Sequence, residues 1–310
     1  MSAIAGHHGD FVPVTELRMN PFIRTLWIGA TLFAASLAHA NDAAWSQPRQ
    51  PFRIYGNSWY VGTQGLSAIL ITSPQGHVLI DGTLEGNAAQ IETNIRALGF
   101  RLHDIKLILN SHAHSDHAGA IAKLAHDSGA TVAASTAGAK ELRSGGHDPD
   151  DPQYGMAPRY PAVTPVEVVA DGAAVQVGSI AITAHYTPGH TPGSTSWTWR
   201  SCEKERCLAL AYVDSLTALG RDGFRYSDDP ARVAGFRQSF ATVAGLPCDI
   251  LITPHPDASG FMQKIAARDS EHSSAPLIDT GACRAYAAAA QPRFEARLAK
   301  ERQDALGAGK

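Results

Sequence analysis

The sequence predicts an α+β fold in which helices pack against the outside of stacked sheets. Three observations carry that reading. Short apolar runs broken by turn residues fill the first two thirds of the chain, and longer helical periodicities follow them. Histidines gather where apolar runs end, which is where α/β folds place chemistry. The 310 residues are 44% hydrophobic and 18% charged, enough for one sizeable core, and no linker, repeat or low-complexity tract divides the chain after Asn41.

The amino end reads differently. Met19 to Arg24 ends in a positive charge, Thr25 to Leu37 is uncharged and largely apolar, and Ala38-His39-Ala40 fits a small-x-small cleavage site. The apolar run is short of the ~20 residues that a membrane span needs. Residues 19–40 are therefore expected to be a signal peptide, residues 1–18 an upstream extension, and residues 41–310 a single mature domain exported to the periplasm without a membrane anchor. His7 and His8 lie in the extension and are not read as ligands. Export suits the cysteines: all four, Cys202, Cys207, Cys248 and Cys283, fall in the mature part, and an even number in an oxidising compartment implies two disulfides. Three pairings are possible on paper. Cys202 and Cys207 flank a charged tip between two apolar runs, so a bond there would staple a hairpin and leave Cys248 with Cys283. A net charge of -3 gives no electrostatic case for nucleic acid.

In order, Ser67 to Thr72 and His77 to Asp81 enclose Ser-Pro-Gln-Gly, a hairpin signal. Ile91, Ile95 and Leu98 give a helix ending at Gly99, and Ile105 to Leu109 reads as a buried strand. Ile121, Leu124 and Ala125 repeat at helical spacing as far as Gly129, and Thr131 to Ala134 is a short strand. Residues 145–165 are rich in Gly, Asp, Pro and Tyr without periodicity, and are expected to form a long loop walling a groove, with Tyr154, Met156 and Tyr160 on it. Strands resume at Val166 to Val169, Val175 to Val177 and Ile180 to Tyr186. Strands near Leu208 and Ile250 then alternate with helices at Ala231 to Val243 and Ala282 to Arg302, the last expected to kink at Pro292.

Between the strand at Ile105 and the helix at Ile121 lies Asn110-Ser-His-Ala-His-Ser-Asp-His-Ala-Gly119. A single histidine is ordinarily just a surface or core residue, but His112, His114, Asp116 and His117 within six positions have no packing reason to cluster. Period-two spacing sends His112, His114 and Asp116 to one side of an extended chain. Catalytic zinc takes three protein ligands and keeps one position open, so four candidates here suggest two ions. His190, in Thr187-Pro-Gly-His-Thr-Pro-Gly-Ser194, and His255, in Ile252-Thr-Pro-His-Pro-Asp257, also follow strands and join the candidates.

This arrangement resembles the metallo-β-lactamase superfamily, whose mark is His-x-His-x-Asp-His, then Gly-His, then a later His. The resemblance implies an αββα sandwich of two mixed sheets with helices on the outer faces and two Zn²⁺ ions in the groove. Within the superfamily, Gly-His-Thr-Pro-Gly-Ser, Asp214-Ser-Leu and Leu246-Pro-Cys-Asp look like the third subclass of true lactamases, which often joins the equivalents of Cys248 and Cys283. By that likeness His112, His114 and His190 hold one zinc, and Asp116, His117 and His255 the other. Asp116 also holds the attacking water, which ionises near neutral pH on a zinc that three neutral imidazoles leave fully positive. The expected activity is hydrolysis of penicillins, cephalosporins and carbapenems by a monomeric enzyme that confers resistance to these antibiotics. The rival is a thioesterase of glyoxalase II type, or a lactonase, on the same fold; in glyoxalase II a carboxylate near Asp214 bridges both metals. The lactamase likeness instead puts Asp214, and with it Asp81, behind the ligands rather than on the metal. It also assigns the substrate carboxylate to Ser215 and Thr217; Arg221 stands where some relatives place a tyrosine and is expected to act as a bidentate clamp, with Tyr154 on the groove wall formed by the long loop.

Overall fold

Hydrophobic alternation decides this architecture. In the computed structural model, which describes residues 43–308, β3 (Ile69–Ser73), β4 (Gly76–Ile80) and β5 (Ile105–Leu109) send Ile69, Ile71, Val78, Ile80, Leu107 and Leu109 to one face and Leu70, Leu79 and Ile108 to the other. Both faces are buried, so both need a cover. The expected upstream extension, signal peptide and cleavage after Ala40, with His7 and His8, lie outside the described residues.

The three strands belong to a seven-stranded sheet in the order β1 to β7, with β1 (Phe52–Tyr55), β2 (Ser58–Tyr60), β6 (Thr131–Ala134) and β7 (Glu167–Val168). Pairing is antiparallel from β1 to β4 and parallel from β4 to β7. The second sheet has five strands, in the order β12, β11, β10, β9, β8: Ala174–Val177 (β8), Ile180–Tyr186 (β9), Thr195–Glu203 (β10), Arg206–Tyr212 (β11) and Ile250–Ile252 (β12). It too is mixed, since β12 runs parallel to β11 and the other pairs are antiparallel. Its inner residues, Ile182, Trp197, Trp199, Leu210, Tyr212 and Ile250, meet the inner face of the first sheet in one core.

Helices cover the outside. Helices α1 (Ala88–Ala97), α3 (Ile121–Ser128) and α4 (Thr136–Ser144) bring Ile91, Ile95, Ile121, Leu124 and Leu142 onto Leu70, Leu79 and Ile108, while α2 (Ser115–Ala118) is a single turn. Helices α5 (Pro230–Ala244) and α7 (Ala282–Ala308) bring Phe236, Phe240, Phe294 and Leu298 onto Ala211, Val213 and Leu251 of the second sheet. Between them, α6 (Phe261–Glu271) puts Phe261 and Ile265 into the central core. The result is the αββα sandwich. Among the described residues no helix is long and apolar enough to cross a membrane.

Helix boundaries follow local chemistry. Gly129 ends α3 in the left-handed conformation, Ser135 caps α4 by accepting from Gly138 N, and Asp229 caps α5. The structure adds β1, β2, α4 and α6, whose residues show no period long enough to read. Helix α7 runs through Pro292, which lies on its exposed face.

Two disulfides form. Cys202 and Cys207 face each other at the tip of the β10–β11 hairpin, and Cys248 ties the approach to β12 to the start of α7. The second bond spans 35 residues. In the chain-entropy account, a loop of that size confers roughly 3–4 kcal/mol. Replacing Cys248 and Cys283 by serine should therefore lower the thermal midpoint by on the order of 10 °C. An unchanged midpoint would mean that packing of Phe294 and Leu298 alone holds α7.

Candidate metal centre

Strand ends converge on one edge of the sandwich. Asp81 follows β4, Asn110 to His114 follow β5, His190 follows β9, Asp214 to Thr217 follow β11, and His255 follows β12. The chain is extended only as far as His114; Ser115 begins α2, so Asp116 is placed by a helical turn, which also carries His117, and not by the period of two expected from its spacing. The turn is held by His117 N on His114 O at 3.0 Å and by Gly82 N on His117 O at 2.8 Å. His190 depends on Gly189, whose φ of +156° suits glycine and where a Cβ would meet the Phe236 ring at 2.5 Å.

His112, His114 and His190 form the first group. Their donor atoms lie within 4.8 Å of one another and their ring centroids are 4.7 to 5.0 Å apart. Each ring has an acceptor behind it. Asp214 Oδ1 is 2.7 Å from His112 Nδ1, and Asp151 Oδ2 is 3.2 Å from His114 Nε2. The Thr217 carbonyl and hydroxyl oxygens are 2.9 and 3.0 Å from His190 Nδ1. Burial, reinforced by the neighbouring rings, pushes His112 well below the ordinary histidine range and His190 down to about 3. Both rings are thus neutral at pH 7, and the buried His112 Nε2 has no hydrogen-bond partner among the described residues.

The second group is Asp116, His117 and His255. Asp116 Oδ2 is 3.2 Å from Nε2 of each histidine, and the two Nε2 atoms are 3.2 Å apart. Burial alone would raise the Asp116 carboxyl, but the charge and hydrogen bonds of His117, with those of His255, hold it well below the usual carboxylate range. His117 moves upward, because Asp116 outweighs its burial. Two ring nitrogens and a carboxylate oxygen at this separation, and a bare His112 Nε2 beside them, fit cations: the donors are the nitrogen and oxygen set that zinc accepts.

Asp81 ties the site together. It is fully buried at φ 62°, and its carboxylate accepts from Ser111 N (2.7 Å), Ser111 Oγ (2.6 Å), Asn110 Nδ2 (3.0 Å) and, across the sandwich, Tyr212 Oη (2.8 Å). Burial pushes it up to about 6 even though the charge on His117 and these hydrogen bonds work the other way. It thus anchors the start of the loop that carries the clustered histidines.

Two expected substrate contacts are placed differently. Tyr160 is not on the groove wall; it is buried and donates to Ala113 O at 2.6 Å, bracing the residue between His112 and His114. Arg221 is tied to the neighbouring loop: Nη1 donates to Asp151 O at 2.8 Å and the guanidinium lies over the Tyr154 and Phe224 rings. Met156 is exposed, and Tyr154 is half-buried with its hydroxyl 3.0 Å from His147 Nε2. Ser215 is buried and Thr217 is exposed. Sequence reasoning missed Asp151, Gln153, whose Nε2 is 3.4 Å from His190 Nε2, and Trp45, whose ring centroid is 5.2 Å from that of His255. No spacing links these residues to their histidines; only the acidic composition of the loop hinted at Asp151.

Fold and site together define a metal-dependent hydrolase. A sequence profile described as the metallo-beta-lactamase superfamily matches residues 61–202. Among solved structures, the Rm3 metallo-beta-lactamase is 50% identical with a TM-score of 0.81, covering 84% of this chain and 97% of its own. MEM-A1, a subclass B3 metallo-beta-lactamase from a soil metagenome library, is 51% identical with a TM-score of 0.81, covering 84% and 99%. The chain belongs to the metallo-β-lactamase superfamily and is a zinc-dependent hydrolase. Among curated proteins, a hydroxyacylglutathione hydrolase of Anaeromyxobacter dehalogenans is 32% identical over 127 residues, 41% of this chain and 39% of that enzyme. An N-acyl homoserine lactonase of Agrobacterium fabrum is 35% identical over 79 residues, 17% of this chain and 29% of its own. The chain thus spans well under half the length of these two relatives.

Replacing Asp81 by alanine leaves the donors on Asn110, Ser111 and Tyr212 buried without an acceptor. Chemical unfolding of the zinc-free protein should show a loss of about 3 kcal/mol or more. Undiminished stability would show that the strand ends hold their positions without the carboxylate.

Proposed function

We propose that this chain is an exported β-lactamase that uses two zinc ions to open the amide of penicillins, cephalosporins and carbapenems, acting as a monomer and protecting its host from these antibiotics. The observation that carries the reading is the 50% identity extending over 97% of a metallo-beta-lactamase. His112, His114 and His190 would hold the first ion and Asp116, His117 and His255 the second. When bound, zinc supplies Lewis-acid polarisation of the carbonyl and a nucleophilic water at neutral pH.

The protein's part is positioning. Asp214 accepts the Nδ1 proton of His112 and the Thr217 carbonyl that of His190, so each ring keeps its Nε2 lone pair for the metal. Asp116 engages the two histidines through Oδ2, which leaves Oδ1 to accept a hydrogen bond from the attacking water. Thr217 Oγ1 accepts from His190 Nδ1 and can turn its own proton outward; with the Ser215 hydroxyl it supplies two donors for the carboxylate beside the lactam nitrogen. Arg221 and Tyr154 support the wall on which the rest of the substrate lies.

The thioesterase and lactonase readings draw on shorter likenesses. Against the first, Asp214 Oδ1 lies on the Nδ1 side of His112, away from the bare Nε2, which favours a place behind that ring over one between two metals. Turnover of a chromogenic cephalosporin should disappear with a chelator and return with added zinc, at rates far above those for a glutathione thioester or an acyl-homoserine lactone. Zinc-loaded protein that cleaves the thioester and leaves every β-lactam intact would refute the reading.

A further inference from the structure

The loop between α4 and β7 carries a group that the activity above leaves unused. We propose that Asp151 is a positioning residue of the metal centre: its carboxylate accepts the Nε2 proton of His114 and thereby presents the Nδ1 lone pair of that ring to the first zinc. The inference rests on the reading of His114 as a ligand of that ion.

Geometry supports it from both sides. Asp151 Oδ2 is 3.2 Å from His114 Nε2, and both side chains are more than nine-tenths buried. The other two rings of the trio have acceptors on Nδ1, Asp214 for His112 and Thr217 for His190, so Asp151 completes a set in which every ring is fixed from behind. His114 alone is held by Nε2 and so must offer the opposite nitrogen. A carboxylate in this position also raises the basicity of the ring as a ligand.

Asp151 is itself held. Its carbonyl accepts from Arg221 Nη1 and that of Pro152 from Arg221 N, both at 2.8 Å, and Arg232 Nη1 reaches Asp150 O at 3.2 Å. Asp151 N donates to Asp148 O at 3.0 Å, and Asp148 pairs with Lys140. The segment bearing Ser215 and Thr217 is therefore joined through Arg221 and Asp151 to a metal ligand, so the orientation of the recognition segment and of His114 are set by the same loop. Glu141, His114 and Asp151 have ligand atoms within 4.8 Å of one another, which admits a different use, as a cation site of their own. That use would need His114 Nε2 stripped of its proton.

The test measures zinc affinity by competition with a chromophoric chelator, and the ligand-field spectrum of the cobalt-substituted protein, for wild type, Asp151→Ala, Asp151→Asn and Asp148→Asn. Asp151→Ala should weaken the first zinc by about 10- to 100-fold and shift the cobalt bands. Asparagine keeps an acceptor without the charge, so Asp151→Asn should fall between alanine and wild type, while Asp148→Asn binds as wild type does. Wild-type affinity and spectrum in Asp151→Asn would overturn the proposal even if the alanine variant failed to fold. An equal loss in Asp148→Asn would overturn it too, by tracing the effect to loop folding, as would a third zinc lost selectively from Asp151→Ala. Wild-type protein that takes up no zinc would instead remove the functional reading on which the inference rests.

Discussion

A single buried carboxylate sets the frame for the metal centre. Asp81 sits at the end of β4, takes the Ser111 amide and hydroxyl and the Asn110 amide from the neighbouring strand end, and reaches Tyr212 in the opposite sheet. Two sheets packed through apolar side chains alone can slide by fractions of an ångström, because dispersion contacts are not directional. Four directional bonds onto one carboxylate fix the start of the ligand loop relative to the second sheet. From there Trp197 Nε1 on Asn110 O, Thr195 N on Ser111 O and Tyr160 Oη on Ala113 O hold the loop residue by residue. The cost is an ionisable group in a fully buried place, and it appears as the upward shift of Asp81.

The two donor groups differ in kind. In the first, burial keeps His112 and His190 in their neutral form, each with its one ring proton on a fixed acceptor, while Asp151 outweighs burial and moves His114 upward. The second contains a carboxylate kept ionised by His117 and His255. Cations placed in these two environments would differ in residual charge, the first remaining the stronger electrophile and the second better shielded. Such a difference suits a reaction in which a carbonyl is attacked on one side and negative charge develops on the departing nitrogen on the other.

The sequence displayed the ligands more openly than the supports. His112, His114, Asp116 and His117 crowd into six positions, and His190 and His255 sit in proline- and glycine-rich turns, so their clustering could be read directly. The strands were legible because both faces of the central ones are buried and their apolar runs are continuous. Helix α4 was not: Thr136-Ala-Gly-Ala carries no stripe, and its start is held by the Ser135 cap together with the close approach of Gly138 to Gly193. Tyr160 and Arg221 were misplaced for a shared reason. An aromatic or a cation in an irregular loop shows no period, so nothing in the chain says whether it faces a substrate or its own backbone. Asp151 and His114 are 37 positions apart, and only the folded loop brings them together.

The six donors should sort into two sets with Asp214 behind His112, and anomalous diffraction at the zinc edge from crystals of the zinc-loaded protein reads that sorting. Two peaks are expected, one contacted by His112 Nε2, His114 Nδ1 and His190 Nε2, the other by Asp116, His117 and His255. A single ion, or a carboxylate oxygen of Asp214 bridging two, would rule this arrangement out.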